Sequence, residues 1–365
     1  MMRTPLNESA QPISGLVEVA PIAPKRFRLH PLRSSVVGAL LALLVLELLF
    51  RLIGFERTQR GSVREIRHFT EGFATSHFGP DGVRLTGNLA IQGAPLWLII
   101  GDSHVEAREV SDAATMGAVL EQMARSRGRS LNIRQYGWSG TAAPAYIVTA
   151  DSMLRAWAPE WVIIVLGPED VGTQPLETAR LWRMRIEPDT SIRLLDVRFR
   201  PSAATGLRGW LRERSLTPSA MIGGLSRQSA LFAQFTLRLP QVRGAYAAQG
   251  GEKTQEMGLI AHATVGALQD AYADRLLVVY ASPIGHSGGE TADPEESALL
   301  AACALEKVRC ISTRESMREE RDKRFRLSRG FSNTAPGEGH LNAVGHDVIA
   351  RDIWHALVPP ASADQ

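Results

Sequence analysis

The sequence predicts an α/β protein with a mainly parallel sheet in a three-layer arrangement and one N-terminal transmembrane helix. Short, continuous apolar runs recur along the chain, as expected of parallel strands that are buried on both faces. Segments with apolar residues at helical spacing separate these runs. A longer apolar segment of roughly 20 residues lies near the N-terminus, about the length that a bilayer core requires.

The apolar runs give the order of the strands. The clearest runs are Leu96–Ile100, Trp161–Leu166 and Leu276–Ala281, and weaker ones lie near Asn132–Arg134 and Val308–Ser312. Their alternation with helical segments is typical of a doubly wound sheet.

Two helical segments have clear apolar periods. The first follows the first strand and contains Met116, Val119, Leu120 and Met123 at helical spacing, with Ser111 predicted to cap its N-terminus. The second is the last helix, which the sequence predicts over Val344–Leu357 and which should pack on the sheet.

These patterns divide the chain into four parts. A disordered basic tail covers 1–34, the transmembrane helix 35–55, a linker 56–94 and the α/β domain 95–360. The domain contains an insertion at about 173–262, which has no strong hydrophobic period and is predicted to form helices and loops.

The apolar segment Val36–Phe55 is interpreted as a membrane anchor. Its two charges, Glu47 and Arg51, are four residues apart and can pair on one helix face. A cleaved signal peptide and a buried helix are the alternatives, but no small-x-small cleavage site follows the segment. Basic residues lie on both sides of it, so the distribution of charge leaves the orientation open.

The composition excludes several classes of function. The chain has 365 residues, of which 44% are hydrophobic and 22% charged, and its net charge of +3 gives no indication of nucleic-acid binding. Cys303 and Cys310 lack the spacing of a zinc site, and they either form one disulfide or pack as small apolar residues. No nucleotide-binding or metalloprotease motif is present, so neither a cofactor nor a metal is predicted.

Candidate site residues lie where predicted strands end, because open parallel sheets bind ligands beyond the carboxyl ends of their strands. Gly101-Asp102-Ser103-His104 follows the first strand directly, which places the Ser103 hydroxyl at such an end. After the second strand, a turn contains Gly140, whose backbone N–H is a candidate donor to a developing oxyanion. Taken alone, each element also fits a helix cap or a plain loop.

Two further elements complete the set. Gly167-Pro168-Glu169-Asp170 follows the third strand. Before the last helix, His340 is a candidate general base, and Glu338 is a candidate carboxylate to orient its imidazole.

Together, the four elements resemble the SGNH (GDSL-type) hydrolase superfamily, which shows Gly-Asp-Ser after its first strand, a turn ending in Ser-Gly, a Gly-x-Asn-Asp turn, and a late acid and histidine. The resemblance runs from about 95 to 357, without the insertion. It implies a flavodoxin-like sheet and acyl transfer by Ser103, with His340 as the base, Glu338 orienting it and the Gly140 amide as oxyanion donor.

Two positions depart from this family. Glu169 stands where the family has an asparagine that donates to the oxyanion, and an ionised carboxylate cannot donate. Glu338 stands where the family has an aspartate; it is longer but chemically adequate. Three hypotheses therefore remain. The protein is an esterase or O-acetyltransferase acting on an acylated envelope glycan or lipid, or it is a degenerate, non-catalytic domain that binds a glycan or scaffolds an envelope complex. A membrane-bound, lipase-like enzyme facing the cytoplasm is a third reading.

The resemblance also implies a location. If the substrates belong to the cell envelope, the domain is expected outside the cytoplasm. A single membrane-spanning helix would attach it to the membrane. The sequence does not indicate the oligomeric state. Ser103, His340 and Glu338 are the predicted catalytic residues, and Gly140 and Glu169 the predicted oxyanion or substrate-binding residues.

Overall fold

A computed structural model of the protein describes residues 30–52, 58–60, 63–68, 71–171, 182–186, 192–196, 250–286, 288–289 and 291–359. Most of the predicted tail and most of the predicted insertion lie outside the described residues.

Ten strands and nine α-helices lie within the described ranges. The strands are β1 (Thr58–Arg60), β2 (Val63–His68), β3 (Ala74–Phe78), β4 (Leu96–Gly101), β5 (Asn132–Gly137), β6 (Trp161–Leu166), β7 (Trp182–Ile186), β8 (Ile192–Asp196), β9 (Leu276–Tyr280) and β10 (Arg309–Ser312). The helices are α1 (His30–Leu52), α2 (Ser103–Glu106), α3 (Met116–Ser126), α4 (Ala143–Trp157), α5 (Pro168–Val171), α6 (Gly250–Tyr272), α7 (Pro294–Glu306), α8 (Arg314–Arg324) and α9 (Ala343–Leu357).

The central sheet has five parallel strands in the order β10-β9-β6-β4-β5. All five strands that the apolar runs predict are present, and the α/β class with a parallel sheet is confirmed. The chain leaves β4 to form β5 on one side and β6 on the other, so the order reverses at β4. Such a reversal opens a crevice at the carboxyl ends of the strands, which is where open sheets bind ligands.

Side chains of the central strands alternate between two buried faces, and helices cover both. One face packs against α4, α6 and α7, and the other against α3, α8 and α9. The first face buries Leu98, Ile100, Val162, Ile164, Val278 and Tyr280. The second buries Trp97, Ile99, Ile163, Val165, Leu277 and Val279. This is the three-layer arrangement that continuous apolar strands require.

The segment 56–94, predicted to be a linker, contains β1, β2 and β3, which form an antiparallel sheet. The buried Arg84 attaches this region to the central sheet through a bridge to Gln135 on β5. The Arg84 guanidinium also donates to Asp112 at 2.5 Å and to the carbonyl oxygen of Val110 at 2.8 Å. The linker prediction is corrected, because buried polar contacts rather than an apolar period hold these short strands.

Helix α1 covers most of the predicted transmembrane segment 35–55. The chain separates into two compact units, 1–45 and 46–365, and the boundary lies within α1. Apolar side chains described on this helix are exposed, among them Leu40, Leu44 and Leu48. Among the residues that the structure describes, no helix combines the length and the apolar character needed to cross a membrane.

The described part of the predicted insertion contains the antiparallel hairpin β7–β8 and most of α6. The hairpin was not expected, since this segment was predicted to form helices and loops. Helix α6 packs on the central sheet and on α7, so its last turns belong to the three-layer domain.

Two smaller predictions have clear outcomes. Cys303 and Cys310 form a disulfide that joins α7 to β10, with Cα atoms 6.1 Å apart.

The cap prediction for Ser111 is wrong, because a 3-10 turn follows it and α3 begins only after Thr115. The Thr115 hydroxyl caps α3 by accepting from the Ala118 N–H at 3.3 Å.

Candidate active site

Ser103 is the first residue of α2, directly beyond the carboxyl end of β4 at the reversal of strand order. Asp102 caps this short helix, since its Oδ1 accepts from the His104 N–H at 2.8 Å. The Ser103 side chain is half-buried. Among the described residues, no hydrogen bond fixes its hydroxyl, so the oxygen is free to meet a ligand in the crevice.

The turn after β5 packs tightly against the helix that carries Ser103. A Cβ on Gly137 would overlap the backbone of Val105 and Glu106, so only glycine permits this approach. The Trp138 N–H donates to the carbonyl oxygen of Gly101 at 3.0 Å, which joins this turn to the end of β4. The exposed Gly140, the predicted oxyanion donor, lies on the same turn.

A buried carboxylate adds a second connection between the two turns. Glu106, the last residue of α2, accepts from the Ser139 N–H at 3.1 Å and from the Ser139 hydroxyl. Arg108 pairs with the same carboxylate. The turn that contains Gly140 is therefore held beside α2 by hydrogen bonds as well as by packing.

His340 is held by a carboxylate that comes from the N-terminal part of the chain. Its Nδ1 lies 2.5 Å from Glu71 Oε2, and its backbone N–H donates to Glu71 Oε1 at 2.6 Å. Because an ionised carboxylate only accepts, the Nδ1–H is the donor. The remaining ring nitrogen, Nε2, is then unprotonated and basic.

The position of Glu71 is itself fixed by contacts on both sides. Glu71 lies in the β2–β3 turn, and the next residue, Gly72, exchanges two hydrogen bonds with the side chain of Asn333, at 2.7 and 3.3 Å. Gly339 has φ +79°, and a Cβ there would overlap the Glu71 carboxylate. Glycine at 339 therefore lets the loop before α9 close over Glu71.

Glu338, predicted to orient His340, does not occupy that position. Its side chain is exposed, and the hydrogen bond at His340 Nδ1 goes to Glu71 instead. Gly339 turns the chain between the two residues, so Glu338 faces solvent while the imidazole faces the β2–β3 turn. The carboxylate that orients His340 in the structure is Glu71.

His104, next to Ser103, connects the serine turn to His340. The two imidazoles contact each other edge to face, with ring centroids 5.2 Å apart. His104 Nε2 lies 3.2 Å from a guanidinium nitrogen of the buried Arg329, and its Nδ1 lies 3.4 Å from the Leu341 N–H. His104 therefore links the serine turn to His340, and no hydrogen bond joins Ser103 to His340 among the described residues.

A second carboxylate lies near the same ring nitrogen of His340. Glu109 is buried, and its Oε1 is 3.8 Å from His340 Nδ1 and 3.6 Å from Nε2 of His68, the last residue of β2. Possible ligand atoms of Glu71, Glu109 and His340 all lie within 4.8 Å of one another. We call Glu71, Glu109, His340 and His68 the carboxylate–histidine cluster.

The pKa values of His340 and His104 are shifted in opposite directions. Burial would lower the pKa of His340, but the hydrogen bond to Glu71 and the charge of Glu109 outweigh it and raise the pKa. Burial and the nearby Arg329 hold the pKa of His104 well below its usual value. Only His340 is therefore in surroundings that favour an imidazolium, as a general base requires once it has taken a proton.

The pKa values of Glu71 and Glu109 are also shifted in opposite directions. Burial would raise the pKa of Glu71, but its hydrogen bonds with His340 lower it. Burial raises the pKa of Glu109, and the charge of His340 offsets this only in part. Glu71 is the carboxylate suited to stabilise a charged His340.

The turn after β6 carries the last predicted element. Asp170 accepts from the Gly167 N–H at 2.8 Å and from the Ala143 N–H at 3.1 Å, which fixes the turn against the start of α4. Glu169 belongs to α5, but its side chain lies outside the described residues.

Sequence reasoning missed Glu71, Glu109 and Glu106. Glu106 and Glu109 lie within six residues of Ser103, so their position beside the serine turn was a signal that could have been used. Glu71 lies in a segment without an apolar period, and no local pattern connects it to His340.

Several solved structures are similar to this chain at low sequence identity and low TM-score. The sequence matches no protein-family profile and no curated protein. Similar solved structures include an α/β hydrolase from the metagenome of Lake Arreo, Spain, at 14% identity over 73% of this chain and 96% of that chain (TM-score 0.38). The acetylxylan esterase Axe2 of Geobacillus stearothermophilus is similar at 12% identity over 73% and 96% (TM-score 0.38). The acetyl xylan esterase AlAXEase is similar at 12% identity over 72% and 100% (TM-score 0.38).

Proposed function

We propose that this protein is a serine-dependent acyl-ester hydrolase or O-acyltransferase of the SGNH type, with Ser103 as nucleophile and His340 as general base. One observation carries the proposal. At the reversal of strand order, a histidine held through Nδ1 by a half-buried carboxylate contacts His104, the neighbour of Ser103 on the serine turn. A base and a fixed orienting group beside a nucleophile are the parts that acyl transfer requires.

The proposed reaction has two halves. As Ser103 Oγ attacks the ester carbonyl, His340 Nε2 takes the hydroxyl proton, and Glu71 stabilises the imidazolium through Nδ1–H. The tetrahedral intermediate collapses and expels the alcohol, which takes the proton from Nε2. Water or a sugar hydroxyl then attacks the acyl-enzyme, again with Nε2 as base. As the bond between the acyl group and Ser103 Oγ breaks, Nε2 returns the proton to Oγ, and the acid or the new ester leaves.

Backbone amides are the proposed oxyanion donors. The N–H groups of Ser103 and Gly140 belong to two turns that Glu106 and Gly137 hold together. Rigid donors aimed at a developing negative charge contribute more than mobile ones, because they need no reorganisation during the reaction. Glu169 supplies no donor when ionised, so the two amides carry the stabilisation in this proposal.

The proposed substrates are acylated molecules of the cell envelope, with an O-acetylated glycan as first choice and a lipid as second. The domain is proposed to lie outside the cytoplasm, attached through the apolar segment 35–55. The disulfide between Cys303 and Cys310 supports this location, since disulfides persist in oxidising compartments.

Active-site labelling tests the proposal. The purified full chain is treated with a fluorophosphonate probe, and the labelled peptide is mapped. We expect label on Ser103, loss of label and of acetyl-ester turnover in Ser103→Ala, and no change in Ser126→Ala, which alters an exposed serine on α3. Label on another serine overturns the assignment. If the folded protein neither takes the probe nor turns over any ester, the non-catalytic, glycan-binding function replaces this proposal.

A further inference from the structure

The carboxylate–histidine cluster holds more ligating atoms than acyl transfer uses. The proposed reaction needs His340 and one orienting carboxylate, Glu71. Glu109 and His68 stand beside this pair, from the segment after α2 and from the end of β2. Other contacts hold both residues in place. His68 lies on β2, which pairs with β3. Glu109 follows Arg108, whose carbonyl oxygen accepts from the Ser76 hydroxyl at 3.0 Å.

The spacing of the cluster suits a metal ion. Two ligands of a four-coordinate ion with bonds of about 2.1 Å lie about 3.4 Å apart. Glu109 Oε1 is 3.6 Å from His68 Nε2 and 3.8 Å from His340 Nδ1. The Glu71–His340 pair, at 2.5 Å, has a proton in place of the ion and would need to open by roughly 1 Å.

The charge balance of the cluster also favours a cation. Two carboxylates lie close together, and the described ion partners of Glu109 are the two histidines rather than an arginine or lysine. The Glu109 side chain is only 6% exposed, so water screens its charge poorly. Imidazole and carboxylate ligands together suit divalent first-row transition ions.

One ligand is already oriented as metal sites require. Glu71 Oε1 accepts the His340 N–H, which leaves Oε2 as the atom that faces His340 Nδ1. Gly72, adjacent to Glu71, is tied to Asn333 by two hydrogen bonds. Hydrogen bonds of this kind hold ligands in place and commonly change metal affinity by about 10–100-fold.

We propose that Glu71, Glu109 and His340 bind one divalent transition-metal ion, such as Zn²⁺, with His68 positioning Glu109, and that binding switches off acyl transfer. The ion takes the lone pair of His340 Nδ1, and the proton that Nδ1 carried moves through solvent to Nε2, so the imidazole stays neutral. With this proton in place, Nε2 has no lone pair left to accept the Ser103 proton. Metal-bound and catalytically competent forms are therefore mutually exclusive. The proposed inhibition rests on the proposed function, whereas the proposed metal site does not depend on it.

Zinc binding is measured first, by calorimetry on the full chain without any histidine tag. We expect one Zn²⁺ per chain and a Kd weakened at least tenfold in Glu109→Gln, which removes a ligand, and in His68→Gln, which removes the partner that positions Glu109. Glu338→Gln is the matched control, since it alters an exposed carboxylate two residues from His340, and its Kd should equal that of the unmodified chain. Circular dichroism verifies that each variant is folded. A Kd weaker than about 1 mM, or one that the Glu109 and His68 changes leave unaltered, overturns the site.

Inhibition is measured second, as the ratio of acetyl-ester turnover with and without saturating Zn²⁺. We expect at least a tenfold loss that a chelator reverses, and a Zn²⁺ concentration for half-inhibition that rises in His68→Gln in step with its Kd. Binding without inhibition overturns the switch and keeps the site. A protein that binds Zn²⁺ but turns over no ester with or without it overturns the proposed function and, with it, the switch.

Discussion

At the scale of single residues, the pairing of His340 with Glu71 decides the chemistry of the site. A carboxylate at Nδ1 selects the tautomer in which Nε2 is basic. In the proposed reaction, the same carboxylate stabilises the imidazolium that forms when Ser103 loses its proton. Glu338, close in sequence, is exposed and has no such contact among the described residues.

Two isosteric substitutions, Glu71→Gln and Glu338→Gln, test which carboxylate orients His340. Glu71→Gln presents an amide to Nδ1, loses the charge and favours the wrong tautomer, so we expect turnover of an acetyl ester to fall by about 10³–10⁴. Glu338→Gln should stay within about twofold of the unmodified protein. Steady-state kinetics on both variants, with circular dichroism to verify folding, checks this. A large loss in Glu338→Gln and none in Glu71→Gln would contradict the structure.

Another single residue, His346, links protonation to stability. It is 1% exposed on α9, and its Nδ1 has no hydrogen-bond partner among the described residues. Burial, together with the charges of Arg84 and His340, lowers the pKa of His346 to about 3. The unfolded chain, with a histidine pKa of about 6.5, takes up the proton first as the pH falls. Stability is therefore lost as the pH falls from about 6.5 towards 3, by up to about 1.4 kcal/mol per pH unit.

Urea unfolding at pH 7 and pH 5 tests this linkage. Between these values His346 should account for about 2 kcal/mol of the loss in free energy of unfolding. His346→Leu should remove that share, so its stability changes less with pH than that of the unmodified protein. His355→Gln alters an exposed histidine on the same helix and should keep the original pH dependence. Equal pH dependence in all three proteins would refute the assignment.

At the scale of elements, the disulfide between Cys303 and Cys310 joins α7 to the edge strand β10. Strand β10 has one neighbour, β9, so the covalent bond limits fraying at this edge. Closing so short a loop in the unfolded chain is worth about 2–3 kcal/mol in the chain-entropy estimate.

Removing this bond should destabilise the domain without changing the site. We expect Cys303→Ala with Cys310→Ala to lower the free energy of unfolding by about 2–3 kcal/mol, and the melting temperature by several degrees. Reductant should lower the melting temperature of the unmodified protein by a similar amount. It should leave the double variant unaffected. A melting temperature that neither change alters means that the bond does not form in solution.

At the scale of the whole molecule, the prediction concerns location. An alkaline phosphatase fused after Gln365 should be active, since this reporter folds only where disulfides form. Deletion of 35–55 should abolish that activity and release the fusion from the membrane fraction. An alkaline phosphatase fusion that is expressed but inactive would contradict the proposed location and the Cys303–Cys310 bond.

What the sequence determined by itself is the central sheet and the place of the serine. Continuous apolar runs predict buried strands because every residue of such a strand faces one of two cores, and all five appear in the structure. Ser103 and His340 could be named because each adjoins an element with a strong local pattern. The strand order, with its reversal at β4, placed the serine at a crevice.

Only the tertiary structure decided which carboxylate serves His340. Glu71 is about 270 residues away in sequence, in a turn of short polar strands that carry no apolar period. Glu338 satisfied the local pattern, but Gly339 turns the backbone so that Glu338 faces solvent. Local patterns record which residues are buried and in which element. Contacts between distant turns depend on how those elements pack, and this is why Glu71, Glu109 and His68 became a site only in the folded chain.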